Sequence, residues 1–312
     1  MIRAARLGAN WGFALLFAAA AQAQDVVAPA AAPAPALEVL VLGSGGPGAV
    51  GRASSSFVVL LDGKARILVD AGPGSFARAG EVKLALRTLD IVLLTHLHID
   101  HVGELPGMLL GAAVSTGRPL NVRVFGPSGA GLFPSTSRYM DLNFGPKGAY
   151  AYLKDFSAPL TLKTRDVAAK PARPQVLLAE GDLKVSAIPG HHRDAPAVIY
   201  RIDYRGHSVT FSGDIDAQGL PALKELAQGT DLLAFNSVVL DPPGSPPQLY
   251  ELHTPPAVIG QLADQVHAGR LLLNHLSPAV EQAQEAVLAS IRRAYAGPVV
   301  FSNDLLRLGD SR

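Results

Sequence analysis

Short apolar runs bounded by glycine, proline or aspartate recur along the chain at residues 37–42, 56–61 and 67–70. Their length and β-branched content predict buried strands rather than helices. Helical spacing follows over 75–88, and residues 91–95 return to a buried strand. A second series has strands at 183–188, 197–203, 208–212, 231–239, 271–274 and 299–302, with helices at 220–227, 255–266 and 278–294. Two sets of strands, each closing in strand–helix units, predict an α+β or α/β chain with two sheets face to face and helices outside. That is a four-layer αββα sandwich, although the same connectivity fits a doubly wound sheet. No internal repeat is present.

The N-terminus follows a different rule. Arg3 and Arg6 precede an apolar run over 11–21, and Ala21-Gln22-Ala23 has the small-x-small form of a cleavage site. Residues 1–23 are therefore expected to be a signal peptide, placing the chain outside the cell or in a periplasm. The run is shorter than the roughly 20 residues that span a bilayer, so the mature chain is expected to have no membrane span. Residues 24–36 are Ala/Pro-rich and are expected to form a disordered tether, with the folded domain over 37–312. Hydrophobic residues at 48% and charged residues at 17% fit a globular domain.

Net charge is +1, and losing Arg3 and Arg6 leaves the mature chain near −1. That balance carries no overall basic footprint, so no nucleic-acid partner is expected. The absence of cysteine excludes disulfides, a thiol nucleophile and thiolate metal ligands.

Histidine placement changes the picture most. The strand ending at Thr95 delivers His96-Leu97-His98-Ile99-Asp100-His101. His96 and His98 point the same way along an extended backbone and can share one metal, while a turn lets Asp100 and His101 reach a second. Imidazole and carboxylate ligands suit zinc, manganese or iron. More candidates stand at later strand ends: His191-His192, Asp214 in Ser212-Gly213-Asp214, and His275. With one of the paired histidines, they make the seven groups that two metals require.

These residues, with Gly43-Ser44-Gly45-Gly46-Pro47, Leu68-Val69-Asp70-Ala71-Gly72, Tyr200-Arg201-Ile202 and Asn274-His275-Leu276-Ser277-Pro278, resemble the metallo-β-lactamase-fold hydrolases over nearly all of 37–308. The resemblance implies the four-layer αββα sandwich of that superfamily and two divalent ions, zinc first, with manganese or iron as alternatives. It implies one ion on His96, His98 and His192, a second on Asp100, His101 and His275, and Asp214 bridging both. Spacing to Tyr200-Arg201 favours His192 over His191, and Asp70 would orient the cluster from behind. A deprotonated water bridging the metals would attack the ester. Asp100 and His253 are the catalytic candidates, because His253-Thr254 resembles the segment that relatives place near the leaving group.

Zinc β-lactamases usually carry a cysteine where Asp214 stands, which disfavours lactams. The turn motifs, including Arg52-Ala53-Ser54-Ser55-Ser56 and Asp62-Gly63-Lys64-Ala65-Arg66, look most like the secreted zinc-dependent arylsulfatases. A neighbouring group, the transfer-RNA 3′-processing endonucleases and their phosphodiesterase relatives, carries a His-Glu segment where Asn236-Ser237 stands. The expectation is thus a secreted hydrolase of aryl sulfate esters with a small anionic substrate. A phosphodiesterase or other ester or lactone hydrolase is the alternative, and a non-hydrolytic metal-binding or redox protein is the reading from another class.

Remaining features are blander. Residues 43–48 satisfy G-x-G-x-x-G, but Pro47 and the return to strand exclude a dinucleotide fingerprint. His207 and His267 are expected to be exposed structural residues, and Asp304 a helix cap. Residues 134–175 hold seven Lys/Arg against three Asp, with Tyr139, Phe144, Tyr150, Tyr152 and Phe156. This aromatic, basic insertion is expected to be a surface excursion or a lid whose Arg138 and Lys147 attract an anion. Nothing in the sequence speaks to oligomeric state.

Overall fold

Alternation within the strands decides the layering. In β1 (Leu37–Gly43), Val39 and Val41 join one buried cluster while Leu40 and Leu42 join another. Both faces of the strand are therefore covered, as a sheet between two other layers requires. The computed structural model describes residues 34–48, 50–114, 119–155, 159–170 and 172–309. The expected signal peptide over 1–23 and the expected tether up to residue 33 lie outside the described residues.

From β1 the chain runs through β2 (Ser56–Leu61), β3 (Lys64–Val69), α1 (Ser75–Glu81), β4 (Ile91–Leu93), α2 (Ile99–Val102), α3 (Leu105–Val114), β5 (Leu120–Pro127), α4 (Thr136–Phe144) and β6 (Leu160–Val167). The second half holds β7 (Gln175–Glu180), β8 (Leu183–Pro189), β9 (Val198–Tyr204), β10 (His207–Phe211), α5 (Leu220–Leu226), β11 (Leu232–Asn236), α6 (Pro256–Gln265), β12 (Arg270–Asn274), α7 (Pro278–Gln282), α8 (Gln284–Ile291) and β13 (Val299–Phe301). The last strand, β14 (Arg307–Gly309), returns to the first sheet.

One sheet has the order β14-β1-β2-β3-β4-β5-β6 and the other β13-β12-β11-β10-β9-β8-β7. Each is antiparallel at one end and parallel from its middle onward, β3 to β6 and β10 to β13. Parallel neighbours need crossovers, and helices supply them. Three apolar clusters follow: one between the sheets, one under α1, α3 and α4, and one under α5, α6 and α8. Phe57 and Phe211 meet between the sheets with ring centroids 5.0 Å apart. This is the four-layer αββα sandwich, and the doubly wound alternative falls because one cluster has strands on both sides.

At the edge where the site forms, two hydrogen bonds tie sheet to sheet. The buried Tyr200 hydroxyl donates to the Leu94 carbonyl at 2.9 Å, and the Val198 amide donates to the Thr95 carbonyl at 2.7 Å. The strand expected over 91–95 therefore ends at Leu93 and spends the carbonyls of Leu94 and Thr95 on the other sheet.

Other differences have local causes. The helix expected over 75–88 ends at Glu81, with Lys83 left-handed at φ 51°, before a 3₁₀ turn at Leu86–Thr88. The one expected over 278–294 breaks at Ala283 into α7 and α8. Residues 134–175 are scaffold as much as excursion. They supply α4 and β6, and β6 pairs along its whole length with β5. Asp304 caps no helix. It accepts from the Ser44 amide and hydroxyl, the Ala53 amide and Arg78 Nε, clamping the β1–β2 loop to the chain's end. His267 is exposed, as expected, and His207 is half-buried as the first residue of β10.

Candidate metal centre

Every candidate ligand leaves the C-terminal end of a strand or the turn just after it, where parallel strands deliver side chains to a common edge. His96 and His98 follow β4, and Asp100 and His101 lie in the single-turn helix α2. His192 follows β8, Asp214 follows β10, and His275 follows β12. All but His98 are buried.

Asp214 Oδ2 is the focus. It lies 3.5–3.8 Å from Nε2 of His96, His101, His192 and His275. Around it, two sets of three groups place their ligand atoms within 4.8 Å of one another: His96, His98 and His192, and Asp100, His101 and His275. Asp214 closes a further set with His96 and His101, and another with His192 and His253. One carboxylate oxygen among four imidazole nitrogens is the arrangement of a bridging ligand. His191 takes no part: its Nδ1 sits 2.6 Å from Asp216 Oδ2, and its ring faces outward.

Atoms behind the cluster fix the rings. Asp70 accepts from the Thr95 amide and hydroxyl, each at 2.7 Å, and stands 2.7 Å from His101 Nδ1, leaving Nε2 inward. His192 Nδ1 meets the Leu252 carbonyl at 2.9 Å, and His96 Nδ1 meets Thr95 Oγ1 at 3.2 Å. Asp70 and His275 both hold left-handed backbone, φ 57° and 56°. Strain of about 1–3 kcal/mol per residue persists where the surroundings over-determine it, as at ligand clamps. Gly46 leaves room for the His275 ring, since a Cβ there would sit 2.6 Å from it.

Charge follows geometry. Burial opposes ionisation of Asp214, but His275, His253 and His101 hold its carboxyl well below the usual range. Burial likewise opposes charge on His101, and Asp70 and Asp214 override it, raising its pKa well above the ordinary value. His275 is raised against its burial by Asp214 and Asp100. His96 is pushed far down by burial, then by His101. Burial pushes His253 down to about 4. The residues fit a pair of divalent ions, because buried carboxylates demand positive charge and two inward nitrogens, His101 Nε2 and His253 Nδ1, have no hydrogen-bond partner.

Sequence reasoning passed over Asn236. Its Nδ2 donates to Asp214 Oδ1 at 2.6 Å, pinning one oxygen and freeing the other for the cluster. Of the rings expected in a lid, Phe156 lies outside the described residues. Tyr139 and Phe144 pack against the α-helical side of the first sheet, and Phe144 and Tyr150 line a cavity of about 740 Å³ beside α4 that contains none of the candidate ligands. Arg138 is exposed and paired with Asp141 at 2.6 Å.

A family profile described as the beta-lactamase superfamily domain matches residues 65–276. Ribonuclease Z of Mycobacterium avium (strain 104) is 31% identical over 284 residues, 87% of this chain and 98% of that protein. Human tRNase Z, short form, superposes with a TM-score of 0.67 at 19% identity, covering 88% of this chain and all of that one. The metallo-β-lactamase-fold protein YhfI of Bacillus subtilis gives 0.65 at 19% identity, over 87% of this chain and 98% of that one.

Two expectations are corrected by these relatives. The aryl sulfate ester hydrolase gives way, since the ribonuclease Z relatives align over 87% of the chain. The exclusion of nucleic acid, and with it the small anionic ester, gives way on the same finding. Two inferences misled. Net charge averages over a surface and is silent about one cleft. And the missing His-Glu pair counted against RNA, although Asn236 in its place is built into the centre.

Proposed function

Because this chain belongs to the beta-lactamase superfamily, we propose that it is a metal-dependent phosphodiesterase whose substrate is RNA. The single observation that carries the metal-dependent part is Asp214 Oδ2 among four imidazole nitrogens at 3.5–3.8 Å. The ribonuclease Z relatives carry the choice of ester. In this reading His96, His98 and His192 would hold one ion, Asp100, His101 and His275 would hold the other, and Asp214 would serve both; zinc is the first choice.

Two divalent ions supply Lewis acidity and a water acidic enough to react near neutral pH. The chain's own residues do the rest. Asp70 and the Leu252 carbonyl keep the His101 and His192 rings aimed, and Asn236 fixes which oxygen of Asp214 faces the ions. Hydrolysis adds the water oxygen to phosphorus and releases the opposite P–O bond, whose oxygen then takes a proton. His253, pushed down to about 4, is neutral at pH 7. It therefore serves as a neutral hydrogen-bond donor to a phosphate oxygen rather than as a stored proton. Asp100, which its bond to His275 holds below the usual carboxylate range against burial, is a ligand more than a base.

The test is direct. The zinc-loaded chain should cleave an RNA hairpin bearing a single-stranded 3′ extension, and Asp214→Ala should lose bound metal and cleavage together. Two bound metals with no cleavage of any RNA would sink the substrate assignment.

A further inference from the structure

Around His98 stand three apolar side chains, two of them largely exposed. Residues 130–133 form a tight turn, closed by the Ala130 amide to the Phe133 carbonyl at 3.2 Å and the Phe133 amide to the Ala130 carbonyl at 2.9 Å. Gly131 holds φ 57° in the turn, a conformation that favours glycine. The turn is pressed close to the chain that follows, for a Cβ on Gly129 would lie 2.6 Å from the Ser135 nitrogen. Leu132 is 98% exposed at the tip, while Phe133 is half-buried and edge-on to His98, ring centroids 5.4 Å apart at 61°. Ile99, the residue after His98, opens α2 and is 76% exposed.

Single exposed leucines and isoleucines are ordinary. Leu132 and Ile99 each stand one residue from a partner of the Phe133–His98 ring contact, so the three side chains border a candidate metal ligand as a small apolar wall. We propose that Ile99, Leu132 and Phe133 form a subsite for an unpaired nucleobase adjoining the scissile phosphodiester. This rests on the RNA reading above. A phosphodiester held at the ions has a nucleoside on each side, and the wall adjoins the ions on the His98 side. It is too small for a protein partner, whose stable interfaces bury about 800 Å² per side. One planar ring matches it.

Chemistry sets the selectivity. None of the three side chains carries a hydrogen-bond donor or acceptor, so the wall does not read base identity. It reads the presence of a free, unstacked face, as stacking platforms for single strands do. A base locked in a duplex has no such face to offer, so cleavage is confined to junctions with a single-stranded flank.

The experiment uses the zinc-loaded full chain and RNA substrates that carry either a base or an abasic residue at each position flanking the cleaved bond. Removing the base on one flank should raise KM about tenfold for the native protein, the scale of one stacking contact. Leu132→Ser combined with Ile99→Ser should raise KM about tenfold on intact RNA and add nothing on the abasic substrate. Metal content measured on the same samples should match the native protein, and Phe133→Leu serves as a second variant. Indifference of the native protein to abasic residues on both flanks overturns the inference, as does an equal loss by the variant on both substrates. Absence of cleavage of every RNA overturns the RNA reading, and this inference with it.

Discussion

Asn236 shows how one neutral side chain can set the behaviour of a bridging carboxylate. Its amide holds Asp214 Oδ1, so the lone pairs of Oδ2 are left for the ions. Residues that orient ligands in this way typically govern metal affinity by about 10–100-fold. Asn236→Ala should weaken metal binding on that scale, measured by competition with a chromophoric chelator, while its thermal unfolding without metal stays near native. His253 makes the contrasting prediction. Its Nδ1 lies 4.0 Å from Asp214 Oδ2, and its ring centroid lies 5.4 Å from that of His192. His253→Ala should keep both metals and lower kcat by about 10²–10³-fold, the usual weight of one hydrogen-bond donor aimed at developing charge. Unchanged turnover would remove it from the chemistry. The sequence named His253 from its neighbourhood, but Asn236 read only as a missing histidine. Its role depends on a register pairing β11 with β12 and on β10 beside it, and no local pattern encodes that.

Elements, rather than residues, decide whether the second ligand set holds its shape. His275 sits at the end of β12, and the β1–β2 loop closes over it: the Leu276 amide donates to the Ser44 carbonyl at 2.9 Å. That loop is itself clamped by Asp304 and by Arg52, which donates to Ser44 Oγ and Glu281. Gly46 is the point of closest approach. Gly46→Ala should push the His275 ring aside and give a folded protein that retains less than two metals per chain, read by elemental analysis. Full occupancy would show that the loop yields instead. Most strands were legible because each has a buried run of the right length. The edge strand β6 was not, although its half-buried and exposed residues alternate, because the aromatic and basic residues around it drew the eye to binding. Helix α3 was missed for another reason. Leu105–Val114 is apolar on all sides, with Gly111 set against Phe76, so it lacks the stripe that marks an amphipathic helix.

For the molecule as a whole, protons and metal ions compete for the same pocket. His101 and His275 have pKa values raised above the ordinary histidine value, so protons hold on to the metal-free site more tightly there. Each ion that binds displaces them, so metal affinity should rise with pH through and above the ordinary histidine value of about 6.5 and weaken below it. Chelator titrations at several pH values check the sign; affinity independent of pH would contradict it. By the same linkage, a chelator in excess should lower Tm by an amount that grows with the affinity it removes.

The sequence alone determined most of the strands and helices and the candidate ligand run of His96 to His101, because strand alternation and ligand spacing are local and survive translation into three dimensions. It also marked His192, Asp214 and His275 by their places at strand ends. The layering as a sandwich rather than a doubly wound sheet was decided by the cluster buried between the two sheets. Only the tertiary structure decided that these four segments converge on one oxygen of Asp214, that His192 and not His191 faces inward, and that Asp304 clamps a loop rather than capping a helix. Those outcomes depend on which strands become neighbours across two sheets, and that follows from burying three apolar layers at once rather than from any single stretch of residues.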